Sequence, residues 1–298
     1  MELPLVVGVD GSDSSLLAVD WAVDEAARHG LPLRLVHASL WERYERVRPS
    51  FSADRPSGEV MAQHIVASCA ERARLRDPEV KVSADVVAAD AVSTLLRAGS
   101  EAFALVTGAR GRGEVAGLLL GSVSLTVAAR AMCPVIVVRG EERNLRGSLG
   151  RVVVGAGDAT GGTGAVRFAA REAEARGSAL TAVRAWRSPA HEPGSHPAES
   201  VPGGPRDVAD AVAPEEQVSA TLDDALRDVV REHPEVDVTR SAVEGPAHRV
   251  LLEASADADL IVVGAQRRHG HFGLQLGSVA HVLLHHSACP VAVVPHRF

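Results

Sequence analysis

Lysine is nearly absent from this sequence: of 31 basic residues, only Lys81 is not an arginine. A Walker-type phosphate loop needs the run Gly-Lys-Ser/Thr, whereas Lys81 lies between Val80 and Val82, so that type of site is excluded. The 38 acidic residues outnumber the basic ones and give a net charge of −7. Binders of nucleic acid or anionic membranes need a basic surface, so we expect neither partner.

Cysteines, aromatic residues and long apolar runs are also scarce. Three cysteines among 298 residues do not form a disulfide framework and suit a reducing compartment. No apolar run approaches the roughly 20 residues of a membrane span, and the N-terminus shows no signal-peptide pattern. We therefore expect a cytoplasmic protein. Its 46% of hydrophobic residues are enough to bury a core and exclude extensive disorder.

The chain contains an internal repeat. Residues 117–123 (GLLLGSV) recur as 273–279 (GLQLGSV), and 133–138 (CPVIVV) recur as 289–294 (CPVAVV). The length is about that of two typical domains. Together these features predict two homologous domains, residues 1–142 and 150–298, joined by a polar, glycine-bearing linker. Two further irregular stretches, 41–58 and 187–214, are expected to be surface loops.

Short aliphatic runs alternate with helical patterns in the first half. The runs at 5–9, 33–38, 82–87, 104–107 and 134–138 predict strands, and their continuous apolarity indicates parallel strands buried on both faces. Apolar residues at helical spacing predict helices over 14–29, 59–76 and 91–100, and a fourth from Gly121. The alternation predicts an α/β fold with two tandem, open, mostly parallel five-stranded Rossmann-like domains. The order of the strands in the sheet does not follow from the pattern.

Ligands of such sheets bind beyond the carboxyl ends of the strands, where two segments of the first half lie. One is the run 9–12 (VDGS), and the other is the glycine-rich stretch 107–122. Glycines let backbone N–H groups approach an anion, and a helix start adds a favourable dipole. Asp10 is a candidate to bind a ribose hydroxyl or a Mg²⁺ on phosphates. Alternatively, the glycines only permit tight turns and Asp10 begins an Asx-turn. Ser122 offers a hydroxyl and is expected to cap its helix.

The spacing Gly108-x₂-Gly111-x₉-Gly121-Ser122 resembles the G-x₂-G-x₉-G-[S/T] motif of universal stress proteins that bind ATP. Residues 6–12 resemble the first strand of that family and its aspartate, and residues 35–38 and 133–138 resemble its second and closing strands. The resemblance covers nearly the whole chain as a tandem pair. It implies an open five-stranded α/β sheet, ATP with its phosphates on the glycine loop, alone or with Mg²⁺, and dimerisation through the edge strand.

The resemblance also implies which residues hold the nucleotide. The aspartate after strand one and the backbone of strand two contact ribose and adenine in the family, and these positions are Asp10 and Ala38 here. The full set expected in the first half is Gly8, Asp10, Ala38, Gly108, Gly111, Gly113, Gly121, Ser122 and Val123. The corresponding set in the second half is Gly155, Gly264, Gly277 and Ser278.

The second half departs from the motif at two positions. Arg267 stands in place of the middle glycine, and Gly157 stands in place of the aspartate. A side chain at 267 blocks the close approach of backbone that glycine allows, although an arginine there can instead neutralise phosphates. We therefore expect a weakened or altered second site, with ATP bound chiefly by the first half.

Three weaker patterns offer alternatives. Residues 111–116 (GRGEVA) match a dinucleotide fingerprint, but they follow the fourth strand and no acid stands about 20 residues on. His281 and His285 are spaced as a metal-binding pair on one helix face, without a third ligand fixed by the sequence. We expect no metal site there, but a polar face. Cys133 and Cys289 are expected to be buried rather than redox-active, and His37 to be a packing or ligand contact.

These observations predict an ATP-binding stress-response regulator with at most slow hydrolysis, since no nucleophile–base constellation is evident. The alternative is a non-catalytic scaffold or interaction protein with a vestigial nucleotide site; an NAD(P)-binding enzyme ranks below it. The expected assembly is a homodimer, or one chain whose two halves mimic a dimer. A regulatory protein partner is also expected, but its identity does not follow from the sequence.

Overall fold

The computed structural model describes residues 3–40, 58–111, 120–157, 163–187, 214–265, 268–270 and 273–296. The predicted elements of the first half are all present, with ends that agree to within one residue. Its strands are β1 (Leu5–Gly8), β2 (Leu33–Ala38), β3 (Val82–Val87), β4 (Ala104–Gly108) and β5 (Val135–Val138). Its helices are α1 (Asp13–His29), α2 (Gly58–Arg76), α3 (Ala91–Gly99) and α4 (Ser122–Arg130), followed by a short α5 (Glu142–Leu145).

The second half repeats this order. Its strands are β6 (Arg151–Gly155), β7 (Ala179–Trp186), β8 (Val238–Glu244), β9 (Leu260–Ala265), β10 (Arg268–Gly270), β11 (Gly273–Gln275) and β12 (Val291–Pro295). Its helices are α6 (Thr163–Arg176), α7 (Pro214–Glu232), α8 (Ala247–Ala254) and α9 (Ser278–His286). Here β10 and β11 pair antiparallel as a separate two-stranded sheet, and the corresponding positions of the first half lie outside the described residues. The predicted loops 41–58 and 187–214 lie almost entirely outside the described residues.

The two halves share one ten-stranded sheet, in the order β3-β2-β1-β4-β5-β12-β9-β6-β7-β8. Each half is parallel throughout, as predicted, and the halves meet where β12 pairs antiparallel with β5, with Ala292 opposite Ile136. The edge strand of each half is therefore paired with the other half of the same chain. The strand order reverses at β1, which lies between β2 and β4, and this reversal creates a topological switch point.

The core consists of two apolar layers, one on each face of the sheet. One layer lies beneath α1, α2, α6 and α7, and the other beneath α3, α4, α8 and α9. Successive strand residues point to opposite faces, so Val7 belongs to the first layer and Val6 to the second. Both layers run through the junction of the halves. In the described part of the chain, no helix is long and apolar enough to span a membrane.

Four charged side chains, each at most 13% exposed, meet where α1 and α6 pack across the junction. Arg176 contacts Glu25 at 2.6 Å and also pairs with Glu172. His29 Nε2 lies 3.3 Å from Oε1 of both glutamates. Carboxylates and cations thus alternate around a closed ring, which we call the junction quartet. Buried charges are tolerated only when they are paired, so the quartet favours this arrangement of the two halves.

The junction quartet shifts the protonation of its members. Burial alone raises the pKa of Glu25, but the Arg176 guanidinium, with hydrogen bonds from the neighbouring side chains, holds that pKa well below its usual range. Burial alone lowers the pKa of His29, but its contacts with Glu172 and Glu25 outweigh burial and raise that pKa to about 9. His29 is therefore a cation at neutral pH.

Candidate functional site

A cavity of about 480 Å³ opens at the carboxyl ends of β1, β2 and β4, beside the N-termini of α3 and α4. This is the topological switch point of the first half. Eight of the nine positions expected to contact nucleotide in this half line the cavity: Gly8, Asp10, Ala38, Gly108, Gly111, Gly121, Ser122 and Val123. The ninth, Gly113, lies outside the described residues.

The Asp10 loop is organised by serines at the start of α1. The backbone N–H and the hydroxyl of Ser12 both donate to Asp10 Oδ1, at 3.0 and 2.6 Å, which forms the Asx-turn considered above. Ser12 Oγ in turn accepts the N–H of Ser15 and caps α1. Asp10 Oδ2 faces the glycine loop, because a Cβ at Gly111 would lie only 2.7 Å from it. The turn therefore directs Asp10 Oδ2 toward the glycine loop at the edge of the cavity.

The glycine loop is anchored to α1 and to β5. The N–H of Arg110 donates to Ser14 Oγ at 3.1 Å, and the N–H of Ala109 donates to the carbonyl of Val138. A Cβ at Gly108 would lie 2.5 Å from the Ser14 carbonyl oxygen, so only glycine fits there. The N–H of Gly121 closes the loop by donating to the carbonyl of Ala109 at 2.7 Å. Both ends of the glycine motif are thus held beside Asp10.

The start of α4 differs from our expectation. Ser122 is the first residue of the helix rather than its cap, and Gly121 caps it without any side-chain hydrogen bond. The cap position lies one residue earlier than we expected, on Gly121, which has no side chain to form a capping hydrogen bond. Gly121 therefore gives the first-turn N–H groups no side-chain cap, and such N–H groups, together with the helix dipole, can bind an anion. Ser124 Oγ ties the helix to β4 by donating to the carbonyl of Gly108 at 2.8 Å.

The opposite wall of the cavity is apolar, and the sequence did not indicate it. Val36 joins Ala38 from β2, Leu95 and Ala91 come from α3, and Leu120 precedes α4. Their convergence depends on strand order, which the sequence pattern leaves open. An apolar wall facing a few polar groups is typical of small-molecule sites. The lining also includes Val9, Ser15, Thr107, Arg110 and Ser124, which the motif comparison did not assign.

His37 is a packing residue. It is buried, and its Nδ1 lies 2.7 Å from the carbonyl oxygen of Val9, to which it donates. Cys133 and Cys289 are buried free thiols, as expected, and burial raises the pKa of Cys133 to about 11 and that of Cys289 to about 12. These raised pKa values keep both thiols protonated at neutral pH, so neither is poised as a nucleophile.

The second half keeps the outer glycines but changes the polar groups. Gly155 ends β6, Gly264 lies in β9, and Gly277 caps α9, which begins at Ser278. Arg267 lies outside the described residues. Arg184 of β7 occupies the position that His37 has in β2, and its guanidinium donates to the carbonyl of Gly157. A guanidinium therefore reaches the loop position where the first half has the carboxylate of Asp10.

Two groups of potential metal ligands are present. The rings of His281 and His285 lie 4.6 Å apart on α9, as their spacing predicts. Within the described ranges, the group of three that has metal-ligand spacing is Glu25, His29 and Glu172 of the junction quartet. Arg176 and Arg28 already pair with the other carboxylate oxygens, so a divalent cation is not needed to balance their charge.

Comparison with known proteins identifies the family to which this chain belongs. The model of the universal stress protein family matches twice, over residues 3–139 and 149–295. Universal stress protein Rv2005c of Mycobacterium tuberculosis is 31% identical over 300 residues, which cover 97% of this chain and 96% of that protein. A universal stress protein of Mycolicibacterium smegmatis is 30% identical over 304 residues, covering 99% and 98%.

A solved structure shows the same fold. The crystal structure of a universal stress protein from Archaeoglobus fulgidus superimposes with a TM-score of 0.69 over 98% of both chains, at 16% identity. A universal stress protein in complex with cAMP is 30% identical, covers 47% of this chain and 98% of its own, and has a TM-score of 0.36. With two family matches that together span almost all of its residues, this chain belongs to the universal stress protein family as a tandem of two domains.

Proposed function

We propose that this tandem protein is a regulator that binds ATP in the cavity of its first half. The observation that carries the proposal is that all eight described motif positions of that half line one cavity at a topological switch point. Motif residues that served only as turns would not need to converge on a shared space. The volume of about 480 Å³ lies within the roughly 300–1,000 Å³ of small-molecule sites.

Each part of ATP matches one region of the cavity in chemical character. The apolar side chains Val36 and Leu95, with Ala38, suit the flat adenine ring. Asp10 Oδ2 faces the glycine loop at the edge of the cavity. There it can accept a hydrogen bond from a ribose hydroxyl or ligate a Mg²⁺ that is bound to the phosphates. The phosphates fit the start of α4, where the cap residue Gly121 has no side chain, because first-turn N–H groups stabilise anions.

The lining favours binding over catalysis. Of the described residues that line the cavity, Asp10 and Arg110 alone are charged, and none is a histidine, cysteine or glutamate. Rapid hydrolysis needs a base that activates water, and Oδ1 of Asp10 is already engaged by Ser12. We therefore propose a cytoplasmic nucleotide sensor with at most slow hydrolysis, whose domains are 1–142 and 150–298.

The second candidate function is a scaffold with a vestigial nucleotide site. The changes in the second half favour it, because Gly157 replaces the aspartate and Arg184 donates to its carbonyl. Such drift is expected where a site no longer binds a ligand. The intact lining of the first half favours ATP binding instead, and we confine the proposed site to that half.

Two measurements on the purified chain distinguish the candidates. Ligand extracted from the protein is identified by mass spectrometry, and the melting temperature is measured with and without ATP. A ligand that binds only the folded state stabilises it by about 2.7 kcal/mol at 100 times Kd, so ATP should raise the melting temperature. No extracted adenine nucleotide together with no ATP-induced shift would eliminate ATP binding and leave the scaffold.

A further inference from the structure

The hydroxyl of Thr107 is a buried polar group without a partner at the edge of the cavity. Thr107 lies in β4, is 4% exposed and lines the cavity directly before Gly108. Its Oγ1 has no hydrogen-bond partner among the residues that the structure describes. Unsatisfied buried hydroxyls are disfavoured in folded proteins and are rare enough that each needs an explanation.

The second half of the chain shows that the fold does not need this hydroxyl. Thr107 is the register partner of Gly8, and Val263 is the register partner of Gly155 in the same place. Valine has the shape of threonine with a methyl group instead of the hydroxyl, and it needs no hydrogen-bond partner. The half with the intact motif therefore carries threonine, and the half with the altered motif carries valine.

The side chain of Thr107 lies beside the cavity, next to Gly8 and Leu95. Its methyl carbon lies 3.6 Å from where a Cβ on Gly8 would stand, and Leu95 Cδ1 lies 3.0 Å from the same point. Thr107, Gly8 and Leu95 together form the floor of the cavity between β1 and α3. Rotation about χ1 exchanges the methyl and hydroxyl positions without changing the volume of the side chain. The hydroxyl can therefore turn toward a ligand.

We propose that the hydroxyl of Thr107 hydrogen-bonds to the nucleotide bound in the first half. This contact rests on the ATP-binding function proposed above and adds a binding residue that lies outside the glycine motif. The bound nucleotide supplies a hydrogen-bond partner for this hydroxyl. In the ligand-free protein the unpartnered hydroxyl lowers stability, and the hydrogen bond to the nucleotide offsets this cost on binding. Val263 makes no such contact.

The test compares three variants with the natural chain by titration with ATP and by thermal melting without ligand. Thr107→Val should raise the Kd for ATP about three- to tenfold, as expected for one lost neutral hydrogen bond. The melting temperature of the same variant without ligand should be unchanged or higher. Thr107→Ser, which keeps the hydroxyl, should bind ATP within about twofold of the natural chain. The matched control Val263→Thr should lower the melting temperature and leave the Kd unchanged.

Two results would overturn the contact. One is an unchanged Kd in Thr107→Val. The other is a fall of several degrees in its melting temperature without ligand, which would show that the hydroxyl serves the fold. If the natural chain itself does not bind ATP, the proposed function fails and the contact with it. If the natural chain binds ATP and Thr107→Val binds equally well, the contact alone is wrong.

Discussion

The junction quartet makes a quantitative prediction about stability and pH. The pKa of His29 rises from 6.5 to about 9 in the folded chain, because Glu172 and Glu25 outweigh the opposing effect of burial. A histidine with a raised pKa contributes its full stabilisation below its unfolded pKa, and loses it as the pH rises through the folded pKa. The window for His29 is therefore about pH 6.5 to 9, and stability should fall across it. Burial and the neighbouring Glu25 raise the pKa of Glu172 to about 7, so this carboxyl adds a further loss of stability that is complete near pH 7.

The size of the effect follows from the same shift. A shift from 6.5 to about 9 corresponds to roughly 3 to 4 kcal/mol, at about 1.4 kcal/mol for each pH unit. The His29 side chain is only 13% exposed, so solvent screening reduces this figure little. The change His29→Gln removes the titrating group and retains a polar side chain of similar length. It should be less stable than the natural chain at pH 6.5 and similar to it above pH 9.

The assay is urea unfolding at intervals between pH 6 and 9.5, with the free energy of unfolding compared at each pH. The exposed histidine of α2 gives a matched control, because His64→Gln should follow the natural chain at every pH. The expected result is a natural chain that loses stability with rising pH more steeply than His29→Gln. Parallel curves for the natural chain and His29→Gln would refute the assignment of a buried, charged His29.

Two further predictions concern the glycine loop and the assembly. Gly111→Ala should weaken ATP binding about tenfold in a calorimetric titration, because its Cβ would lie 2.7 Å from Asp10 Oδ2 and a shifted loop misplaces its ligands. Gly157→Ala is the matched control, since no described atom lies within 4 Å of that Cβ, and equal losses in both variants would contradict this mechanism. Light scattering should give the mass of one chain, because β5 and β12 already pair with each other; a stable dimer would show that another surface associates.

The sequence predicted the elements well because their signals are local. Buried parallel strands are short aliphatic runs, and Gly30 ends α1 in the left-handed conformation that glycine favours, with φ of 65°. The motif residues converge because the carboxyl ends of parallel strands share one edge of the sheet. Their placement at one edge of the sheet thus followed from the fold class, whereas the cavity that they line together did not. The exception was the cap of α4, which fell on Gly121 rather than Ser122.

The remaining features depend on contacts between distant segments. The apolar wall from Leu95 required the strand order, which short aliphatic runs do not encode. Glu25 and Glu172 look like ordinary polar residues of α1 and α6, and become a buried pair only when the halves meet. One signal was available, since the alignment of Ala18 with Ala165 also aligns these two glutamates. The pairing of β5 with β12 likewise could not be predicted, because it joins segments that are far apart in the sequence.

The central claim is that one half of the chain binds ATP through the start of α4. The most direct test is calorimetric titration of the natural chain, Gly121→Asp and Gly277→Asp. A Cβ at Gly121 meets its nearest described neighbour at 3.6 Å, so aspartate fits, and it caps helices well. Its carboxylate would occupy the first-turn N–H groups that the phosphates need. We predict one ATP per chain, lost in Gly121→Asp and retained in Gly277→Asp; unchanged binding by Gly121→Asp would contradict the claim.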